Sequence, residues 1–209
     1  MRIAVALRLG AHVVHPHTCV CGAPVESNGV HGLHCKLSAE RQSRHANVNE
    51  LLQRAFVSAG VAAVREPTGL CVSDNRRPDG VTLVPWGHGK CLVWDFTCPD
   101  TLAPSHTSTT STTAGAAANS AEAAKSAKYT DLSNNYEVAP IAIETLGVWG
   151  QAGRRLIQVL GSRIAAATKE PRSCAFLRQR VAVAIQRGNA AAVLGTHRHL
   201  IGGGKEVDD

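Results

Sequence analysis

The sequence predicts a mixed α/β fold, in which one mixed β-sheet is flanked by helices, with a zinc knuckle before it and two basic helices after it. Three observations predict this fold. Cysteines and histidines cluster near the start, β-type runs alternate with helical apolar stripes in the middle, and arginines are concentrated towards the end. The chain has 209 residues, of which 44% are hydrophobic and 18% are charged. It can therefore bury a core, which excludes a wholly disordered protein.

The pattern divides the chain into five segments. They are a lead-in without an independent fold (1–18), the knuckle (19–37), the sheet core (38–146), a basic helical extension (147–200) and a tail (201–209). Within the core, residues 104–113 are all Ser, Thr, Pro or His, and this low-complexity insert is expected to be mobile. No apolar run reaches bilayer-spanning length, and the first residues lack a signal-peptide cleavage site. We expect no membrane partner.

The knuckle carries four metal-type side chains at compact spacing, namely Cys19, Cys21, His31 and Cys35. Thiolates and imidazoles at four tetrahedral corners are the ligands of a structural zinc ion. His34 is a rival fourth ligand, and a loop with free thiols is the alternative. The chain has seven cysteines, an odd number without an export signal, which argues against a disulfide framework. The glycines and Pro24 favour tight turns over a helix here.

Residues 38–59 predict a helix, because Ser38 can cap its start and apolar residues recur at helical spacing. β-type composition predicts three strands after it, at 60–66, 77–85 and 90–97, with residues 86–89 as a hairpin connection between the last two. Ala-rich residues 114–135 predict a further helix, and residues 137–146 a fourth strand that Pro140 favours at a sheet edge.

The last two helices are marked by apolar stripes at helical spacing. Residues 151–200 contain nine lysines and arginines against one acid, Glu170, in a chain whose net charge is +6. Such a stretch attracts phosphate groups, although a solvated helical face explains the same charges.

Two acids are brought together by the predicted hairpin. Asp79 lies near the start of the second strand and Asp95 near the end of the third, so both fall at one edge of the sheet. Two carboxylates held close favour a divalent cation such as Mg²⁺, and Glu50 on the first helix can reach the same metal. Lys125 and Lys128, one turn apart on the Ala-rich helix, can serve a phosphate. The alternative is that these acids are solvated and these lysines only solubilise the helix.

The order of these motifs resembles one known family. It comprises the Cys-Cys-His-Cys knuckle, Arg44-His45 on a helix, Arg77-Pro78-Asp79, a strand ending in Asp95, and Lys125-x-x-Lys128-Tyr129. The family is the C-terminal restriction-like endonuclease of site-specific non-LTR retrotransposons, a branch of the PD-(D/E)xK nucleases. The resemblance covers roughly residues 19–145, and the Arg-Pro-Asp motif with the knuckle is its specific part.

The resemblance implies a restriction-endonuclease-like αβββαβ core and assigns site residues. Cys19, Cys21, His31 and Cys35 match the family's zinc ligands. Asp79 and Asp95 match its acids, which hold Mg²⁺ or Mn²⁺, and Lys125, Lys128 and Tyr129 match its catalytic helix. Thr97, not lysine, stands two residues after Asp95. The side chains expected to hold DNA are Arg44, His45, Arg77, Arg154, Arg155, Arg178 and Arg180.

The implied activity is a metal-dependent DNA nick that leaves a 3′-hydroxyl as primer for reverse transcription in the nucleus. Its partners are the target DNA, the element RNA and a reverse transcriptase supplied by the same or another polypeptide. The alternative is a catalytically inactive, zinc-containing nucleic-acid-binding module derived from a retrotransposon. A third possibility is an interaction protein that docks a polymerase or a nucleosome.

Overall fold

The structure is a computed structural model that describes residues 2–71 and 76–197. Its helices are α1 (Arg2–Leu9), α2 (His31–His34), α3 (Ala39–Ser58), α4 (Pro104–Thr110), α5 (Ala116–Lys128), α6 (Gln151–Thr168) and α7 (Ser173–Leu194). Its strands are β1 (His17–Thr18), β2 (Pro24–Val25), β3 (Ala63–Arg65), β4 (Gly80–Thr82), β5 (Cys91–Thr97) and β6 (Tyr136–Ala142). None of the described helices is long and apolar enough to cross a membrane.

The predicted mixed sheet flanked by helices is confirmed. Its four strands lie in the order β3-β4-β5-β6, and β3, β4 and β5 pair antiparallel. β6 is parallel to β5, which requires the long connection through α4 and α5. The predicted hairpin turn between β4 and β5 is closed by an antiparallel bridge between Gly87 and Lys90.

β6 occupies the sheet edge that Pro140 predicts. Proline has no N–H to donate to a further strand, so it is tolerated at an edge. Pro140 lies opposite Asp95 in the β5–β6 register. β6 ends at Ala142 instead of continuing to Leu146, because Ile143 pairs with Trp149 in an isolated bridge and the chain turns there into α6.

One main core fills the space between the sheet and helices α3, α6 and α7. Its fully buried side chains include Phe56, Trp94, Phe96, Leu160 and Ile185. Helix α6 therefore packs on β6, and α7 packs on α3 and α6, each through an apolar face. A smaller core on the second sheet face contains Val81, Val93, Tyr129 and Leu132.

One local prediction, that the knuckle holds no helix, needs correction, and two other segments contain helices that were not predicted. The Ser/Thr insert, expected to be mobile, contains helix α4, because Pro104 starts it and its hydroxyls bond back to carbonyls, as Thr110 does to Thr101 at 2.8 Å. The lead-in contains α1, whose Leu7 packs with Leu33 and Val193. The knuckle, expected to hold no helix, contains the single turn α2. The tail and residues 198–200 of the extension lie outside the described residues.

Helix boundaries are close to the predicted ones, with two differences. α3 begins after Ser38, but the Ser38 hydroxyl makes no cap hydrogen bond and is buried without a partner among the described residues. The predicted helix over 114–135 divides at Tyr129 into α5 and a 3₁₀ helix, Thr130–Asn134.

Candidate functional site

The knuckle brings its four metal-type side chains to one point. The ligand atoms of Cys19, Cys21, His31 and Cys35 all lie within 4.8 Å of one another. Cys19 Sγ is 3.7 Å from Cys35 Sγ, and Cys21 Sγ is 3.3 Å from His31 Nε2. Tetrahedral bonds of about 2.3 Å to sulfur and about 2.0 Å to nitrogen require edges of nearly these lengths. The cluster can therefore hold a zinc ion.

The structure distinguishes the two rival histidines. His31 faces the thiols, whereas His34 Nδ1 lies 2.9 Å from Asp100 Oδ2 in the loop after β5. His34 therefore anchors the knuckle to the sheet domain. Within the cluster, burial raises the pKa of the Cys19 thiol to about 11, and a backbone hydrogen bond at Ala23 lowers the pKa of Cys21. A cation is needed to hold Cys19 as a thiolate at neutral pH.

The β4–β5 pairing places Asp79 beside Asp95, as predicted. Gly80 pairs with Trp94, so Asp79, one residue earlier, comes opposite Asp95, one residue later. Residues directly opposite in an antiparallel pair share a sheet face. Gly80 is required here because a Cβ at that position would overlap the Trp94 ring.

Asp79 is held as a carboxylate by two elements, β5 and α3. Its Oδ2 accepts the backbone N–H of Phe96 at 2.6 Å and lies 3.1 Å from His45 Nε2 on α3. Burial is the largest single effect on the Asp79 pKa and raises it, but His45 and the Phe96 N–H together outweigh burial, so the pKa is lowered. The hydrogen bond to Asp79 in turn raises the pKa of His45.

Asp95 lies deeper and is paired with Lys125. The residue is 4% exposed, and its Oδ2 forms an ion pair with Lys125 Nζ on α5. That oxygen has no aligned hydrogen-bond donor in the described part of the chain. Burial raises the Asp95 pKa, and the charge of Asp79 raises it further, although Lys125 opposes both.

Lys128 and Tyr129, at the end of α5, contact each other and the segment that leads to Asp79. Lys128 Nζ donates to the Tyr129 hydroxyl at 2.9 Å and lies 4.6 Å from the ring centroid. The Tyr129 hydroxyl donates to the Arg77 carbonyl at 3.3 Å. Burial raises the pKa of Tyr129 to about 12, so it stays protonated. Tyr129 thus joins the end of α5 to the Arg77-Pro78-Asp79 segment, and Lys125 is the lysine nearer the acids.

A cavity of about 590 Å³ opens beside Asp79, between the knuckle, α3 and β3. Asp79, His45 and Asn49 line it, together with residues that the sequence analysis did not single out: Lys36, Arg41 and Arg65. Arg41, His45 and Asn49 recur every fourth residue on α3, so helical spacing from His45 was a signal that could have identified Arg41. Asp95 and Lys125 do not line this cavity; they lie behind it.

Several predicted residues lie elsewhere. Glu50 forms an exposed ion pair with Arg54 and is not part of the cavity lining, so the structure does not bring it to the acids. Arg77 pairs with Glu66 at 3.0 Å. The four arginines of the last helices are exposed on α6 and α7, and none of them lines the cavity: Arg154, Arg155, Arg178 and Arg180.

Arg44, which was expected to contact DNA, is buried in the structure. The residue is 2% exposed, its Nη1 donates to Asn189 Oδ1 at 2.6 Å, and its side chain packs against Gly188 on α7. Arg44 therefore joins α3 to α7 inside the protein.

Among the described residues, the knuckle is the one group of three or more Cys, His, Asp or Glu side chains close enough together to hold a metal. A scan against protein-family models found no match, and neither did a search of curated proteins.

Proposed function

We propose that this protein is a metal-dependent DNA endonuclease that nicks target DNA. The observation that carries the proposal is the placement of Asp79 opposite Asp95 across the β4–β5 pair, with Lys125 against Asp95. A pair of buried acids with a lysine at one end of a sheet is chemistry suited to a phosphodiester.

The order of elements supports the same proposal. Helix α3, three antiparallel strands, helix α5 and the parallel strand β6 follow in the order αβββαβ, with the short helix α4 inserted before α5. This is the order expected of a restriction-endonuclease-like core, and the zinc-type cluster precedes it as the resemblance to retrotransposon endonucleases implies.

The donor set suits a hard divalent cation. Asp95 Oδ2 is buried without an aligned donor among the described residues, and Asp79 is kept ionised by its partners, which lower its pKa. We assign Asp79 and Asp95 as the ligands of Mg²⁺ or Mn²⁺, which when bound would polarise the phosphodiester and lower the pKa of water.

The chain's own groups position the reactants. Lys125, which lies against Asp95, would neutralise charge on the scissile phosphate. Water attacks phosphorus and loses a proton, the bond from phosphorus to the 3′ oxygen breaks, and that oxygen takes up a proton. The products are a 5′-phosphate and a 3′-hydroxyl. The 3′-hydroxyl would serve as primer for a reverse transcriptase that copies element RNA in the nucleus.

Plasmid nicking tests the proposal. Supercoiled plasmid is incubated with the wild type, Asp79→Asn or Asp95→Asn, in Mg²⁺, in Mn²⁺ and without divalent metal. We expect metal-dependent open circles from the wild type, a loss of at least about 100-fold in each variant, and unchanged DNA binding. Asp131→Asn is the matched control, because Asp131 is an exposed acid paired with Arg76. Undiminished metal-dependent nicking by both site variants would reject the proposal.

A second candidate function is favoured by one observation. Both acids already have a basic protein partner, His45 for Asp79 and Lys125 for Asp95, and Asp95 is buried. A chain that has lost catalysis and kept nucleic-acid binding would have such a closed site. It predicts salt-sensitive DNA binding without any nicked product in the same assay.

A further inference from the structure

The cavity beside Asp79 is lined by basic residues, three of which, Lys36, Arg41 and Arg65, were not predicted as site residues from the sequence. Its lining contains four basic residues, Lys36, Arg41, Arg44 and Arg65, against two acids, Glu66 and Asp79. Glu66 is engaged by Arg77, outside the lining. Apart from the inward-facing Arg44, these cations are exposed or half-buried, so they are accessible to a ligand in the cavity. The excess of positive charge indicates an anionic occupant.

Arg41 is fixed by the knuckle. Its Nη1 donates to the carbonyls of His34 at 3.1 Å and Cys35 at 3.2 Å, and Cys35 is a member of the metal-type cluster. One nitrogen of the guanidinium is thereby held, which orients the remaining donors of the fork. Since arginine loses little further entropy when its fork is already oriented, this placement favours bidentate binding of a phosphate. Lys36, next to Cys35, adds a second cation on the same side.

Arg65 lies on the opposite wall, next to the proposed catalytic acid. It ends strand β3 and pairs with Gly80, and the following N–H, that of Glu66, donates to the Asp79 carbonyl at 2.8 Å. Arg65 is therefore the residue before the one whose backbone bonds to Asp79, which places it close to that acid. Cations from the knuckle, from α3 and from β3 therefore line the same cavity as Asp79, and several such cations suit an extended polyanion.

We infer that this cavity is a backbone groove for one strand of duplex DNA, with Lys36 and Arg41 on the knuckle wall and Arg65 on the sheet wall contacting phosphates on either side of the scissile one. The inference rests on the proposed function, because it takes Asp79 as the acid at the reacting phosphate. It gives the knuckle a part in substrate binding, through the anchoring of Arg41.

Salt-dependent binding tests the groove. Affinity for a labelled DNA duplex is measured by fluorescence anisotropy between about 50 and 200 mM salt in magnesium-free buffer, for the wild type and for Lys36→Gln, Arg41→Gln, Arg65→Gln and the triple variant. The slope of log affinity against log salt should fall by about 0.9 for each phosphate that the protein no longer neutralises, and so by about 2 to 3 in the triple variant. Lys169→Gln is the matched control, an exposed lysine at the end of α6 outside the groove. Its slope should equal that of the wild type.

The outcomes separate the groove from the chemistry. A reduced affinity and slope in the triple variant of a protein that nicks no plasmid would support the groove and reject the proposed function. An unchanged slope in the triple variant would overturn the groove, whether or not the wild type nicks. If Arg41→Gln disturbs the fold of the knuckle, its zinc content should fall. Arg65→Gln then still tests the groove, because Arg65 lies on the sheet and not in the knuckle. An unchanged slope in Arg65→Gln, with full zinc content, counts against the sheet wall.

Discussion

The backbone N–H of Phe96 donates to the Asp79 carboxylate across the β4–β5 pair, at 2.6 Å. Phe96 follows Asp95 on β5, so β5 fixes the position of the Asp79 carboxylate, which precedes β4. His45, on α3, lies 3.1 Å from both the Asp79 carboxylate and the Phe96 carbonyl. The end of β5 and helix α3 thus set the position of Asp79. The contribution of His45 to stability can be measured.

The His45–Asp79 pair should make stability depend on pH. The pKa of His45 is raised, so its contribution is full below its ordinary value of 6.5 and is lost as pH rises through the folded value. The pKa of Asp79 is lowered, so its contribution is full above 3.8 and is lost on acidification. The pair therefore stabilises most between about pH 4 and 6.5. We expect His45→Gln to lower stability by up to about 1 kcal/mol at about pH 5, since His45 is partly exposed, and by less at about pH 8. Thermal melts of metal-free protein measure this, and a difference that grows with pH contradicts it.

Lys125 should stabilise buried Asp95. Lys125→Met leaves that carboxylate without its cation, which should cost about 1–3 kcal/mol at neutral pH, measured by urea unfolding. Lys128→Met is the control, because Lys128 bonds the Tyr129 hydroxyl and not Asp95. Adding Asp95→Asn to Lys125→Met should restore part of the stability. A double variant no more stable than Lys125→Met argues that Lys125 stabilises the fold by other contacts.

Arg44 should contribute to stability and not to DNA affinity. Arg44→Met leaves the Asn189 side-chain carbonyl without its donor inside the protein, and we expect a loss of about 1–3 kcal/mol. Arg178→Met, on the exposed face of α7, should change stability by less than about 0.5 kcal/mol. DNA affinity of folded Arg44→Met, measured well below its melting temperature, should equal that of the wild type. A clear drop in DNA affinity with unchanged stability would indicate that Arg44 contacts DNA.

The knuckle should bind one zinc ion per chain. Elemental analysis of the purified protein should give about one zinc, and Cys35→Ser should lower both zinc content and melting temperature. Cys174→Ser is the control, because Cys174 lies on α7 and contacts Gln158 outside the cluster. Full zinc occupancy in Cys35→Ser would mean that these side chains are not the ligands.

Local sequence signals were enough to predict the sheet and the pairing of the acids. A short hairpin between two β-type runs leaves few registers, and so Asp79 and Asp95 could be placed together from the sequence. The partners of these acids could not be predicted, because His45 and Lys125 reach them through the packing of α3 and α5 on the sheet. The burial of Arg44 depends on α7, whose Gly188 allows the close approach, and no local pattern in α3 signals it. Helix α4 was missed because hydroxyl-to-carbonyl bonds order a composition that is usually disordered.

The packing of the knuckle on the last turns of α7 has a consequence for dissecting the molecule. Gly32 lies so close to the Ala192 carbonyl that no side chain would fit between them, and His17 stacks on His197 at 3.6 Å. A fragment that ends before Ala192 would lose the part of α7 against which Gly32 of the knuckle packs. The knuckle is therefore not expected to fold as a separate module. Its metal affinity should be measured in chains that keep the end of α7 and residue His197.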